Sequence, residues 1–245
     1  MSAAFCLPMI QCVYESLSSC KQSNKRKLNS DVINIQLNTS DKDPLCTIFP
    51  DCTTCEVNSE KQWAGVRASH GVKTGRYYFE VTVLGDGLAR IGCSTLAAHL
   101  EIGKDSYGFG YGGTGMISHA GKFESYGVKF SKDSVVGCYI DLTDKIISYS
   151  VDGKDLGKAF DIPKNLASSS ILFPTILLKN CKVQTNFGAS SFKYSIKTNF
   201  TGLSNCQNQE DLASSNDSEC FISSNGIRKP LSLIIEPSIE LAQQV

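Results

Sequence analysis

The sequence predicts a mainly β fold, an antiparallel β-sandwich, and three observations predict it. Apolar residues alternate with more polar ones at Tyr77, Phe79, Val81 and Val83, at Val136, Cys138 and Ile140, and at Ile147, Tyr149 and Val151. That two-residue period is the mark of half-buried strands. The runs are short and separated by Gly, Asp and Ser turns, the spacing of a sandwich. One turn is explicit: an apolar strand enters Asp152-Gly153, which suits a two-residue type I′ hairpin because both turn positions need φ > 0.

The elements follow in order. Phe5, Met9, Val13 and Leu17 recur every four residues, so 3–17 reads as a helix, with Pro8 able to kink or delay it. Ser18 to Pro44 is polar apart from Val32, Ile35 and Leu37, and reads as a linker holding at most one strand. Residues 57–195 carry the strands. Gly108, Gly110, Gly112, Gly113 and Gly115 lie within them. No Lys-Ser/Thr pair follows and no helix opens there, so a phosphate-cradling loop is excluded and a bent or bulged strand is expected. Thr198 to Lys229 is again polar, with too few apolar residues to fold alone. Leu231 to Ile235 reads as a buried strand, and Ile239 to Val245 as the start of a helix.

Composition excludes several classes. The 245 residues carry 24 Lys and Arg against 24 Asp and Glu. Zero net charge argues against whole-chain capture of nucleic acid, and leaves only a local patch open. Candidates for such a patch are Lys73, Arg76, Arg90, Lys122 and Lys129, whose sharing of a face sequence cannot show. Lys21, Lys25, Arg26 and Lys27 are either a nuclear-import or RNA-touching patch or a solvated linker. No apolar run approaches the ~18 residues of a membrane span, and no signal peptide is expected. Eleven cysteines without regular spacing predict reduced thiols in a nuclear or cytosolic setting. Cys52 and Cys55 form the one C-x-x-C, and without a second ligand pair they read as loop thiols rather than a zinc site. His70 and His119 are expected in Gly-rich loops and His99 in a short apolar segment, in solvated or packing roles.

The blocks resemble, in order, those of a known family. Trp63-Ala64-Gly65-Val66-Arg67-Ala68, Gly75 to Val81, and Arg90-Ile91-Gly92-Cys93-Ser94 look like the opening strands of a SPRY domain, with Cys93 where Trp is usual. Tyr107 to Gly110 and Val136 to Asp141 resemble its middle strands. The hairpin from Tyr149 to Phe160 resembles its hallmark, and Leu172-Phe173-Pro174 and Asn186-Phe187-Gly188 its closing strands. The resemblance implies a binding module that performs no chemistry. Its loops would meet a protein or an RNA, with Arg67, Arg76 and Arg90 as candidate partner contacts. Core packing for Trp63 and a buried acceptor for Arg67 are the favoured alternative roles.

The two ends resemble another family. Pro237-Ser238-Ile239-Glu240-Leu241-Ala242 looks like motif Ia of DEAD-box RNA helicases, which would make Pro237, Ser238 and Glu240 RNA-backbone contacts. Ile239 replaces the usual Arg. Ala4-Phe5, Pro8 and Ile10 resemble the helix after the helicase P-loop, with Ser2 on the P-loop Thr and so a nucleotide-binding remnant. The chain therefore reads as a SPRY domain inserted between those motifs. Its expected parts are a remnant helix (1–20), a linker (21–56), the sandwich (57–195), a second linker (196–230) and the motif Ia strand and helix start (231–245). The resemblance implies ATP and Mg²⁺ for the parent helicase but no cofactor, metal or catalytic residue for this chain. It implies RNA as a partner through the helicase core, no membrane, and residence in nucleus and cytoplasm. The competing reading is a SPRY adaptor unrelated to helicases, such as a ubiquitin-ligase substrate receptor.

Overall fold

The structure is a computed structural model and describes residues 33–206 and 211–214. Two antiparallel sheets face one another. The first has seven strands: β1 (Leu37–Lys42), β4 (Ala64–Ala68), β14 (Phe173–Lys179), β7 (Leu88–Ser94), β8 (Gly108–Gly112), β9 (Met116–His119) and β10 (Lys122–Ser125), neighbours in that order. The second runs β13 (Lys154–Asp161), β12 (Ile146–Val151), β11 (Val135–Asp141), β6 (Arg76–Val83), β15 (Cys181–Asn186), β3 (Thr54–Val57) and β2 (Thr47–Ile48). The short β16 (Thr201–Gly202) adds parallel to β6. A small pair, β5 (His70–Val72) with β17 (Leu212–Ser214), stands apart, and the helix α1 (Lys164–Ser169) links β13 to β14.

Strand alternation decides what is buried. On β6, Tyr77, Phe79, Val81 and Val83 enter the central core, where they meet Val136, Cys138 and Ile140 from β11 and Ile147 and Tyr149 from β12. The first sheet supplies Val66, Ile91, Cys93, Phe109, Tyr111 and Ile176 to the same core. Burial pushes the Cys93 and Cys138 thiols well up, because a thiolate has nothing to solvate it there.

The predicted hairpin is present. Asp152 has φ 50° and Gly153 φ 79°, and Val151 pairs with Lys154 across them. The Asp152 carboxylate accepts the Val135 N–H at 2.8 Å, which ties the turn to the neighbouring strand. A Cβ on Gly153 would sit 2.6 Å from Cδ1 of Tyr194. Gly153→Val is therefore expected to lower stability by roughly 1–3 kcal/mol, from left-handed backbone strain plus that clash. The denaturant midpoint measures it, and an unchanged midpoint would contradict this turn.

Both linkers need correction. Residues 21–56 include β1, β2 and β3, and Ile35, Leu37, Cys46 and Cys55 from this region are buried. From 196 onward, β16, a 3-10 turn at Leu203–Asn205 and β17 continue the fold, with Leu203 and Leu212 buried. The segment from 192 to 200 straps the outer face of the second sheet. Phe192 packs edge-on against Tyr78 at 4.8 Å between ring centres, and Phe200 against Tyr139 at 5.0 Å. Beneath the strap, the buried Glu80 carboxylate accepts the Lys193 N–H at 3.0 Å.

Two smaller expectations change as well. His70 lies on β5 and His119 ends β9, its ring stacked 4.3 Å from Phe109. Cys55 lies on β3 with its side chain buried, so only Cys52 of that pair is a loop thiol. The helix read over 3–17 and the strand and helix read over 231–245 fall outside the described residues.

Candidate interaction surface

The three arginines singled out in the sequence do three different jobs. Arg67, in the middle of β4, is only 3 % exposed. Its neighbours on the strand are small (Ala64, Gly65, Ala68), so the long side chain lies across the outer face of the first sheet. Its guanidinium pairs with the Asp41 carboxylate at 2.8 and 3.1 Å and donates to Ser94 Oγ at 2.9 Å and to the Ala98 carbonyl. Every arm is occupied inside the fold, so Arg67 is a strut and not a surface contact.

Arg76 opens β6 and reaches the turn that joins β11 to β12. Its Nε donates to Asp141 at 2.7 Å and its Nη2 to Asp144 at 2.8 Å. Those two hydrogen-bonded carboxylates, Asp141 foremost, raise its pKa further above the usual value. Its charge is thus met locally and offers little to a partner.

Arg90 differs. It sits on β7, on the same outer face as Arg67. The guanidinium centre lies 5.5 Å from the Trp63 ring and 5.2 Å from the Phe123 ring, so the cation is sandwiched between two aromatics. The side chain runs over β8 towards the Phe123 ring that extends from β10. Gly110 clears the path: a Cβ there would sit 2.6 Å from Arg90 Cδ. Ser118 follows on β9, opposite Phe123. Gly110 of β8 therefore gives clearance to an arginine, in a strand whose pairing with β7 stays in continuous register. One Nη1–H donates to the Ile102 carbonyl at 2.8 Å. Burial lowers the pKa of this guanidinium, yet it remains cationic at any physiological pH. Among the described residues no carboxylate forms an ion pair with it, and Glu101, the nearest acidic influence, pairs with Lys104 at 3.2 Å.

Trp63, expected in the core, is half-buried at the rim, where it forms one wall of this stack. Phe123 forms the other and is 55 % exposed, and Leu88, two residues before Arg90, is 43 % exposed. Sequence reading missed Phe123, because an aromatic in a short, charged run gives no periodic signal. Of the basic candidates, Lys73, Lys122 and Lys129 are exposed. Arg76 and Arg90 lie on opposite sheets, so the five do not make one patch.

Ser2, Pro237, Ser238 and Glu240 lie outside the described residues. Among the described residues no group of three or more His, Cys, Asp or Glu side chains is placed to hold a metal ion. No described helix is long and apolar enough to cross a membrane.

Comparison with known proteins agrees with this architecture. Residues 76–190 match the SPRY domain model. The fold is similar to the crystal structure of the SPRY domain of human HERC1, with a TM-score of 0.52 and 17 % identity, covering 61 % of this chain and 96 % of that one. The chain is also 39 % identical over 99 % of its length to the ATP-dependent RNA helicase DDX1 of Xenopus laevis, and 36 % identical over 99 % to Ddx1 of Drosophila melanogaster. It spans about a third (34 %) of the length of each of these helicases. A SPRY match in the middle and a helicase match from end to end agree: residues 76–190 form a SPRY domain, and the chain around it is similar to the part of DDX1-type RNA helicases that carries one.

Proposed function

We propose that this chain is the partner-binding module of an ATP-dependent RNA helicase, joining a protein partner to the enzyme through its exposed edges and loops. The observation that supports the reading is the pairing of an end-to-end helicase match with a sandwich whose described residues build a surface stack. ATP and Mg²⁺ belong to the surrounding helicase, where phosphates, metal and water must be positioned together. RNA is held by the helicase core, with Pro237, Ser238 and Glu240 contributing to it. The module resides wherever its helicase does, in nucleus and cytoplasm.

Two measurements test this. The purified 245-residue chain is expected to show no ATP turnover above a blank, with or without RNA. In the helicase that carries it, replacing residues 33–214 with a Gly-Ser linker is expected to keep RNA-stimulated ATP hydrolysis and to remove co-purifying proteins. Turnover by the chain alone, loss of hydrolysis on replacement, or retention of every partner would each overturn the proposal.

A further inference from the structure

β10 is an edge strand, and its register shows what that edge offers. His119 and Lys122 flank the two-residue turn Ala120–Gly121, with φ 51° and 73°. In such a hairpin the flanking residues form the hydrogen-bonded pair, and bonding alternates from there. Lys122 and Glu124 therefore bond back to β9. The Tyr126 N–H, next in the same phase, donates to the Gly115 carbonyl at 3.1 Å. Phe123 and Ser125 are left turning their N–H and C=O groups outward. Among the described residues no strand pairs with that side, and all four residues of β10 are exposed.

The two faces of this edge differ. On the outer face, Phe123 carries the stack that holds Arg90, with Trp63 behind it. On the other face, a groove of about 310 Å³ opens towards β13, lined by Ile117, His119, Lys122, Glu124, Phe160 and Asp161 among others. A strand laid along β10 would place alternate residues over these two faces.

We propose that the outer edge of β10 is a strand-addition site for an extended acidic–aromatic peptide of a protein partner. One aromatic side chain sits beside Phe123, and a carboxylate two residues along reaches Arg90. The unpaired main-chain groups call for an extended polypeptide. Arg67 and Arg76 have carboxylates of their own, whereas Arg90 has none among the described residues and is open to one from outside. A cross-strand aromatic beside Phe123 extends the existing stack. Nucleic acid fits less well, because Glu124 on β10 and Asp161 across the groove on β13 oppose a phosphate backbone. This site rests on the reading of the chain as a partner-binding module and names where the partner enters.

The test uses two variants and one probe. Ser125→Pro removes an outward N–H while leaving the β9 ladder intact, a position where an edge strand tolerates proline. Phe123→Ala removes the stacking wall. Both are first checked for an unchanged melting curve. The probe is a phage-displayed library of random decapeptides, selected on the unaltered 245-residue chain. Selected peptides are expected to share an aromatic with an acidic residue two positions away, and to lose about tenfold or more in affinity on each variant. No enrichment, or peptides that bind Ser125→Pro as well as the parent, would overturn the site. So would dimerisation of the chain that Ser125→Pro abolishes, which would make a second copy the occupant. A labelled oligouridylate that needs Phe123 but not the Ser125 N–H would assign the stack to a nucleobase and also overturn it. Within the whole helicase, a partner lost on replacing residues 33–214 but kept with Ser125→Pro would sink this site alone. A partner kept in both cases would sink the module reading as well.

Discussion

A chain cut back to residues 57–195 is expected to lose cooperative folding, whereas residues 33–214 should fold as one unit. The alternating strands all lie inside the shorter limits, yet the structure puts essential parts outside them. Cutting at 57 removes β1 from beside β4 and β2–β3 from beside β15. It also removes Asp41, the ion-pair partner of Arg67. Cutting at 195 removes β16 and the remainder of the strap over Tyr139, including Phe200. Ile35, Leu37, Leu203 and Leu212 leave the core with these segments, each no more than 7 % exposed. At about 1.5–3 kcal/mol per buried aliphatic side chain, the loss is roughly 6–12 kcal/mol. A domain's whole stability is typically ~5–15 kcal/mol. Circular dichroism and a urea melt decide the matter. The longer segment should give a β spectrum and one transition, and the shorter should aggregate or melt without a cooperative step. One sharp transition from 57–195 would show that the outer strands are ornaments.

The reason those strands escaped sequence reading is physical. Central strands such as β6 and β11 are packed on both sides and must alternate, or be apolar throughout, to fill the core. An edge strand buries one face at most. β1 buries only Leu37 fully among its six residues, β2 has two residues, and β10 buries none. Polar edges of this kind are also how sheets avoid joining one another, so the signal is weak for a functional cause. The Asp152-Gly153 turn was legible because its chemistry is local. The stack of Trp63, Arg90 and Phe123 was not, because it joins residues far apart in sequence. The glycines of β8 were visible, but their meaning depends on an arginine from the next strand. With that arginine in place, Gly110 reads as clearance for its side chain. Arg67 was half-legible. An arginine among Ala64, Gly65, Val66 and Ala68 invites a buried role, but its acceptors come from segments 26 to 31 residues away.

Arg67→Ala is expected to cost about 3–5 kcal/mol, the loss typical when one partner of a buried ion pair is removed. The substitution leaves three groups without their donor. Asp41, 25 % exposed, keeps some access to water. The Ser94 hydroxyl retains Thr175 Oγ1 at 2.8 Å. The Ala98 carbonyl loses the guanidinium that holds the loop from Thr95 to Tyr107 against the sheet. Arg67→Lys should recover only part of the loss, because an ammonium cannot reproduce the planar fork that meets two carboxylate oxygens, a hydroxyl and a carbonyl at once. Asp41→Asn keeps a hydrogen-bond acceptor and should cost less than Arg67→Ala. The double variant should cost less than the sum of the singles, because both remove the same ion pair. Chemical denaturation of the four proteins gives the cycle. The same loop also carries the Ile102 carbonyl that Arg90 bonds. Arg67→Ala should therefore loosen the Trp63–Arg90–Phe123 stack, read as a change in Trp63 fluorescence under conditions where the protein is still folded. Trp63 is the chain's one tryptophan, so the signal has a single source. A loss under 1 kcal/mol, about what an exposed pair gives, would return Arg67 to the surface and make it available to a partner.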